Sequence, residues 1–176
     1  MTAIQPGNTA VVTPEGRLAD RDGRAAEGWC PIERALDRVG TRSSMVLLRE
    51  VFYGTRRFDE LARRTGLSDA VAAKRLKQMV ADGLLSQQPY REPGARTRSE
   101  YVLTERGQEL FALLIALADW GLRLDADNAG VEFVHAGCGA RLEATVRCAD
   151  GHEVTADQAA ARLVGEAGGA TGPGGR

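Results

Sequence analysis

A mainly α fold with a small β component (α+β) is what this sequence predicts, on three observations. Apolar residues recur at helical spacing through most of residues 31–122. Two strand-like runs flank REPGARTR, residues 91–98, whose Pro-Gly marks a turn. Two more short β-like runs, VEFVH and LEATVRC, follow the last helical stretch.

The elements follow in order. A first helix starts at Pro31, since Pro suits the first turn, with Ile32, Leu36 and Val39 in phase and Gly40 at its end. A second covers residues 43–53 with Val46, Leu47 and Val51 inward, and Gly54-Thr55 breaks it. A short third helix spans residues 58–64, Gly66 turns the chain, and Ser68 is placed as N-cap of a fourth helix over residues 69–81. Asp82-Gly83 stops that helix. Strands are expected at residues 84–90 and 99–103. Thr104 then caps one long helix over residues 105–122, carrying Leu110, Leu113, Leu114, Leu117 and Trp120 on a stripe with Phe111 beside it. VEFVH and LEATVRC pair as a hairpin. Residues 1–28 lack an apolar period and read as a disordered tail. The organisation is therefore a tail (1–28), a helical domain with its wing (29–124), a hairpin region (125–164) and a Gly-rich tail (165–176).

Two short helices joined by a Gly-containing turn, then a β-hairpin, is the layout of a winged helix-turn-helix. The fourth helix divides into two faces. Ala72, Leu76, Met79 and Val80 can pack against Leu61 and Leu67. The opposite face shows Asp69, Ala70, Ala73, Lys74 and Lys77, with Val71 and Arg75 at its borders and Ser68 at its start. Small side chains there admit base edges and thymine methyls, while the cations reach bases or phosphates. By itself this is also the pattern of any amphipathic helix with a solvated basic face. Arg91, Arg96 and Arg98 concentrate at the wing tip, where minor-groove or backbone contact is the usual use. Arg56 and Arg57, with Arg63 and Arg64, add candidate phosphate contacts.

Charge is distributed to match. The chain has a net charge of −1, yet residues 30–104 contain 14 Lys/Arg against 9 Asp/Glu, leaving 9 against 15 elsewhere. A basic module flanked by acidic segments suits a polyanion such as double-stranded DNA. No run approaches the roughly 18 apolar residues of a membrane span. The N-terminus lacks a signal-peptide layout, and three cysteines are a poor disulfide framework. A cytoplasmic protein with reduced thiols is expected. No nucleophile–base pair, phosphate-cradling glycine loop or paired carboxylate points to an enzyme.

The runs CPIERALDRVG, LLRE, RRFDELARR, LKQMVADGLL, EYVLTERGQEL and ALADWG, in this order over residues 30–121, resemble the HxlR family of bacterial winged-helix regulators. The resemblance implies a homodimer on operator DNA, paired through the N-terminal and long C-terminal helices, with Ile32 and Leu36 joining the Leu110/Leu113/Leu114/Leu117/Trp120 stripe. The stripe is independently more apolar than one small domain needs, although packing on the protomer's own helices also accounts for it. Cys30 resembles the sensing cysteine of members that respond to quinones, aldehydes or hypochlorite. A thiolate there would be favoured by the helix N-terminus, and a small residue packed beside Trp29 is the plainer alternative. Where most members read GGKW, this chain reads Gly40-Thr41-Arg42-Ser43, which suggests a subgroup carrying the C-terminal His/Cys hairpin.

That hairpin holds both histidines and two of the three cysteines. His135-x2-Cys138 and Cys148-x3-His152 would complete a closed tetrahedral zinc site, structural and without an open position for catalysis. A Cys138–Cys148 disulfide and a metal-free hairpin are the other readings. The expected function is a homodimeric DNA-binding regulator, a repressor, switched by an electrophile, oxidant or non-covalent inducer. The alternative is a winged-helix protein–protein interaction module.

Overall fold

A computed structural model describes residues 11–19, 30–91, 97–124 and 130–164. Trp29, Arg96 and the Gly-rich tail, 165–176, lie outside the described residues, as do 1–10 and 20–28 of the expected N-terminal tail. The chain divides into two units, Gly28–Ala144 and a second formed by Met1–Glu27 with Thr145–Arg176.

In the larger unit the helices are α1 (Pro31–Val39), α2 (Arg42–Phe52), α3 (Phe58–Thr65) and α4 (Asp69–Ala81), each within a residue or so of the boundaries the apolar period predicts. Caps explain the starts. Thr41 accepts the Ser44 N–H at 3.2 Å, and Ser68 accepts the Val71 N–H at 3.4 Å. After β1 (Thr13–Pro14) of the smaller unit, β2 (Leu85–Tyr90) and β3 (Arg98–Leu103) form the antiparallel wing, in register from Leu85↔Leu103 to Tyr90↔Arg98. Arg57 adds an isolated antiparallel bridge to Glu100.

The core lies where α2, α3, α4 and the wing base meet. Leu47, Leu48, Leu61, Leu76, Met79 and Leu85 are fully buried there. Each such side chain contributes roughly 1.5–3 kcal/mol relative to exposure. Helix α1 gives this core Val39, while its Ile32 and Leu36 remain 67% and 56% exposed.

The expected long helix after the wing is two helices, α5 (Glu105–Gln108) and α6 (Phe111–Leu124). The cause is a local anchorage. Thr104 Oγ1 donates to Gly83 O at 2.6 Å and accepts the Gly107 N–H at 3.0 Å. Gly107 is buried so close to β2 that a Cβ there would collide with Leu84 O. Helix α5 is thus tied to the wing, and the chain turns at Glu109-Leu110 before α6 starts.

The expected apolar stripe also divides. Leu114, with Ile115, is buried, and Leu110 packs against the core. Leu113, Leu117 and Trp120 stay exposed, as does Phe111. Leu110 and Leu114 therefore belong to the protomer's own interior, because the turn at Glu109-Leu110 rolls that side of α6 inward.

The expected hairpin of VEFVH with LEATVRC forms only at its turn end, where the Leu142 N–H donates to Phe133 O at 2.8 Å. The isolated bridge Val134↔Arg141 belongs to that turn end, and the far part of LEATVRC closes on residues beyond it through Arg147↔Glu153. Gly139 (φ 72°) and Gly151 (φ 86°) take the left-handed region inside these loops and reverse the chain there. The first loop belongs to the larger unit and the second to the smaller.

In the smaller unit, β1 (Thr13–Pro14) pairs in parallel with β4 (Ala160–Ala161), and a 3-10 turn covers Gly16–Leu18. Part of the stretch expected to be a disordered tail is therefore hydrogen-bonded backbone. The missing apolar period misled because a two-residue pairing needs no such pattern.

The Gly107 contact generates a prediction. Gly107→Ala should destabilise the larger unit by about 1–3 kcal/mol, since the intruding methyl meets backbone rather than a movable side chain. Thermal unfolding with an unchanged midpoint would show that the α5–wing junction is not tight.

Candidate nucleic-acid interface

Helix α4 is two-sided by composition, and the fold uses both sides. Ala72, Leu76 and Met79 are buried, with Val80 half-buried beside them. This orientation leaves Ser68, Asp69, Ala70, Val71, Ala73, Lys74 and Lys77 exposed, and Arg75 partly so. The first two turns thus present small side chains around Ala70 and Ala73. Among the described residues, no carboxylate pairs with Lys74, Arg75 or Lys77. Asp69 stands in the first turn, favourable to the helix dipole.

The other predicted cations behave differently. Arg56 is exposed and pairs with Glu100 at 3.4 Å. Arg57 lies over the Tyr90 ring, 4.8 Å from its centroid. Sequence reasoning missed Tyr90 and Glu100 as partners, because strand register alone brings them beside residues 56 and 57. Arg63 and Arg64 are exposed at the end of α3, and Arg91 and Arg98 are exposed at the two ends of the wing strands. Exposed cations on α3, α4 and the wing are the residue types that contact phosphates, and the small side chains of α4 are those that admit base edges.

Residues 38–128 match the HxlR-like helix-turn-helix family. The chain belongs to that family. This HxlR-like chain is 37% identical over 128 residues to an uncharacterised HTH-type transcriptional regulator of Mycobacterium tuberculosis, covering 71% of the chain and 80% of the relative. It is 32% identical over 101 residues to an uncharacterised HTH-type regulator of Escherichia coli, covering 57% and 79%. Among solved structures, one named as a candidate transcription factor is similar at a TM-score of 0.67 and 33% identity, covering 75% of this chain and 93% of that one. Another such factor, from Pseudomonas aeruginosa, is similar at 0.56 and 32%, covering 80% and 96%. No helix among the described residues of the HxlR-like chain is long and apolar enough to cross a membrane.

Cys30 sits as N-cap of α1, half-buried, and its side chain makes no capping hydrogen bond. None of the three cysteines is in a disulfide, so the alternative reading of a Cys138–Cys148 bridge has no counterpart in the structure.

The His/Cys residues fall into two pairs, one in each unit. His135 Nδ1 is 3.2 Å from Cys138 Sγ, in a loop closed by His135 N–H to Ala140 O and Gly139 N–H to His135 O, both at 2.8 Å. Cys148 Sγ is 3.5 Å from His152 Nδ1, with Cys148 N–H donating to His152 O at 3.0 Å. Adjacent corners of a tetrahedral zinc place a sulfur and a nitrogen about 3.5 Å apart, so each pair has a metal-compatible spacing. Asp150 brings a carboxylate oxygen within 4.8 Å of the Cys148 and His152 ligand atoms. The sequence reading passed over this aspartate, although its place inside the CADGH loop was visible.

The loop carrying His135 is held to α6 by charge. Asp119 accepts from Arg123 at 2.7 Å and from Arg141 at 2.5 Å. These two guanidinium groups, Arg123 first, hold its carboxyl below the ordinary aspartate value of 3.8. A depressed folded value means that the contribution is complete above 3.8 and is lost as pH falls through the folded value. Amide protection of Leu142, whose N–H donates to Phe133 O at 2.8 Å, should therefore decline at acid pH. Asp119→Asn should lower that protection at neutral pH and flatten the acid dependence; equal protection in both proteins would show that the pair does not hold the loop.

Proposed function

We infer that this HxlR-like chain is a DNA-binding transcriptional regulator, a homodimeric repressor that a chemical signal releases from its operator. The observation that carries the reading is the outward face of α4, where Ala70 and Ala73 sit beside Lys74, Arg75 and Lys77, with no carboxylate among the described residues to neutralise them. Small residues let a helix approach the floor of the major groove, and cations without a carboxylate partner gain from phosphate neutralisation and counterion release. The wing cations, Arg91 and Arg98, are assigned to the flanking backbone or minor groove.

Titration of a fluorescent duplex from the chain's own upstream region, over a range of salt, tests this. Lys74→Ala with Arg75→Ala should weaken specific binding by about tenfold or more and reduce the log–log salt slope by about 1–2, close to 0.9 for each phosphate left without its cation. Unchanged affinity and slope would remove α4 from the interface, and salt-insensitive retention would favour a protein-binding role for the wing. Cys30, at the α1 N-terminus, is the candidate redox trigger; in the same assay Cys30→Ser should abolish release by diamide.

A dimer pairing through α1 and α6 is supported by their uncovered apolar side chains, Ile32, Leu36, Leu113, Leu117 and Trp120. The His/Cys pairs are proposed as structural zinc ligands. Native mass spectrometry should find two chains with bound zinc; a monomer would remove the dimer assignment, and a metal-free mass would remove the zinc assignment.

A further inference from the structure

We propose that the space between α2, α6 and residues 130–133 is a binding site for an apolar ring compound carrying a hydroxyl or amino hydrogen-bond donor. The cavity measures about 650 Å³, a size usual for small-molecule sites. All its walls belong to the larger unit. Helix α2 contributes Met45 and Val46, α6 contributes Leu114 and Leu117, and Phe133 comes from the segment after α6. Tyr53 and Phe133 stand with ring centroids 6.1 Å apart, an aromatic pair beside which a third ring can stack.

The chemistry of the ligand is set by Glu50. This residue lines the cavity and is only 6% exposed. Its Oε1 takes both available bonds from Arg49, from Nε at 3.2 Å and from the terminal nitrogen at 2.9 Å. No hydrogen bond reaches Oε2, and among the described residues no side-chain oxygen is both sealed from solvent and unpartnered. Oε2 is therefore not sealed from solvent, on a residue that lines the cavity. A carboxyl oxygen without a partner beside apolar walls is an acceptor for a donor, and a phenol or aryl amine supplies one together with the apolar body those walls require.

A second copy of the chain is a poorer occupant. Among the apolar side chains that α1 and α6 leave uncovered, Trp120 alone carries a donor, its indole N–H, so a partner helix that laid any other of them into the cavity would bury the carboxylate with half its bonding unmet. As a ligand site this assignment stands apart from DNA binding. As an effector site it rests on the DNA-binding reading, since occupancy between α2 and α6 would act where the core helix meets the helix assigned to dimer contact.

The test uses the full chain and two naphthalenes, 1-naphthol and 1-methoxynaphthalene, which share a ring system and differ in the donor. Calorimetric titration should give saturable binding of one 1-naphthol per chain and about tenfold weaker binding of the methoxy compound. Gly121 provides the blocking variant. It lines the cavity, and a Cβ there would meet nothing within 4 Å. Gly121→Leu puts a better helix former into α6 and a branched side chain into the cavity, so it should abolish binding without lowering the unfolding midpoint. Glu50→Gln should remove the preference for 1-naphthol over the ether. Binding that survives Gly121→Leu, or equal binding of the two naphthalenes to the wild-type chain, overturns the proposal. So does a Gly121→Leu chain that changes from dimer to monomer in sedimentation while the wild type binds neither compound, which would make the cavity part of an interface between copies. Because these readouts contain no DNA, their failure leaves the operator-binding reading standing, and failure of duplex binding leaves the naphthol result intact.

Discussion

Burial of one face of α4 is the constraint on which the rest depends. Leu76 and Met79 share a core with Leu47, Leu48 and Leu61, and a helix anchored by those side chains has no rotational freedom about its axis. Lys74 and Lys77 must then face water, as must Ala70 and Ala73. Rolling the helix by one residue would expose Leu76 and draw a lysine into the core, at a cost in both apolar burial and charge desolvation. The basic face is thus a consequence of the apolar one.

The wing extends that constraint. Leu85 enters the same core, and the Thr104–Gly107 anchorage ties the next turn back to β2. The wing is therefore fixed relative to α4 at its base, while its arginines lie toward the far end. Arg56 and Arg57 show a different economy. They are engaged by Glu100 and Tyr90, so any phosphate contact they make must compete with contacts they already hold. Lys74 and Lys77 face no such competition among the described residues.

Helix α6 serves two environments. Leu114 and Ile115 are inside the protomer, while Leu113, Leu117 and Trp120 stay uncovered. The segment after it returns across α6 and contacts α2, where Phe133 meets Tyr53 and Arg141 meets Asp119. That return builds the cavity around Glu50, so a part of the chain that carries no DNA-reading residue shapes a chamber against the helix assigned to dimer contact.

Local chemistry was legible in the sequence wherever one stretch carried its own signal. The helical period, the Ser68 cap and the Pro-Gly turn located α1 to α4 and both wing strands, and the two-faced composition of α4 marked its outward residues. Those features depend on residues within a turn or two of each other, so no distant partner is needed to read them. Tertiary contacts decided the rest. The break between α5 and α6 accompanies the Thr104 anchorage and the close packing of Gly107 on Leu84 O, the division of the apolar stripe follows that break, and the two closed loops form where glycines reverse the chain. The cavity beside Glu50 exists only because α2, α6 and residues 130–133 converge. Each was invisible in the sequence for the same reason: it is set by where separated segments meet, and residue period and type describe one segment at a time.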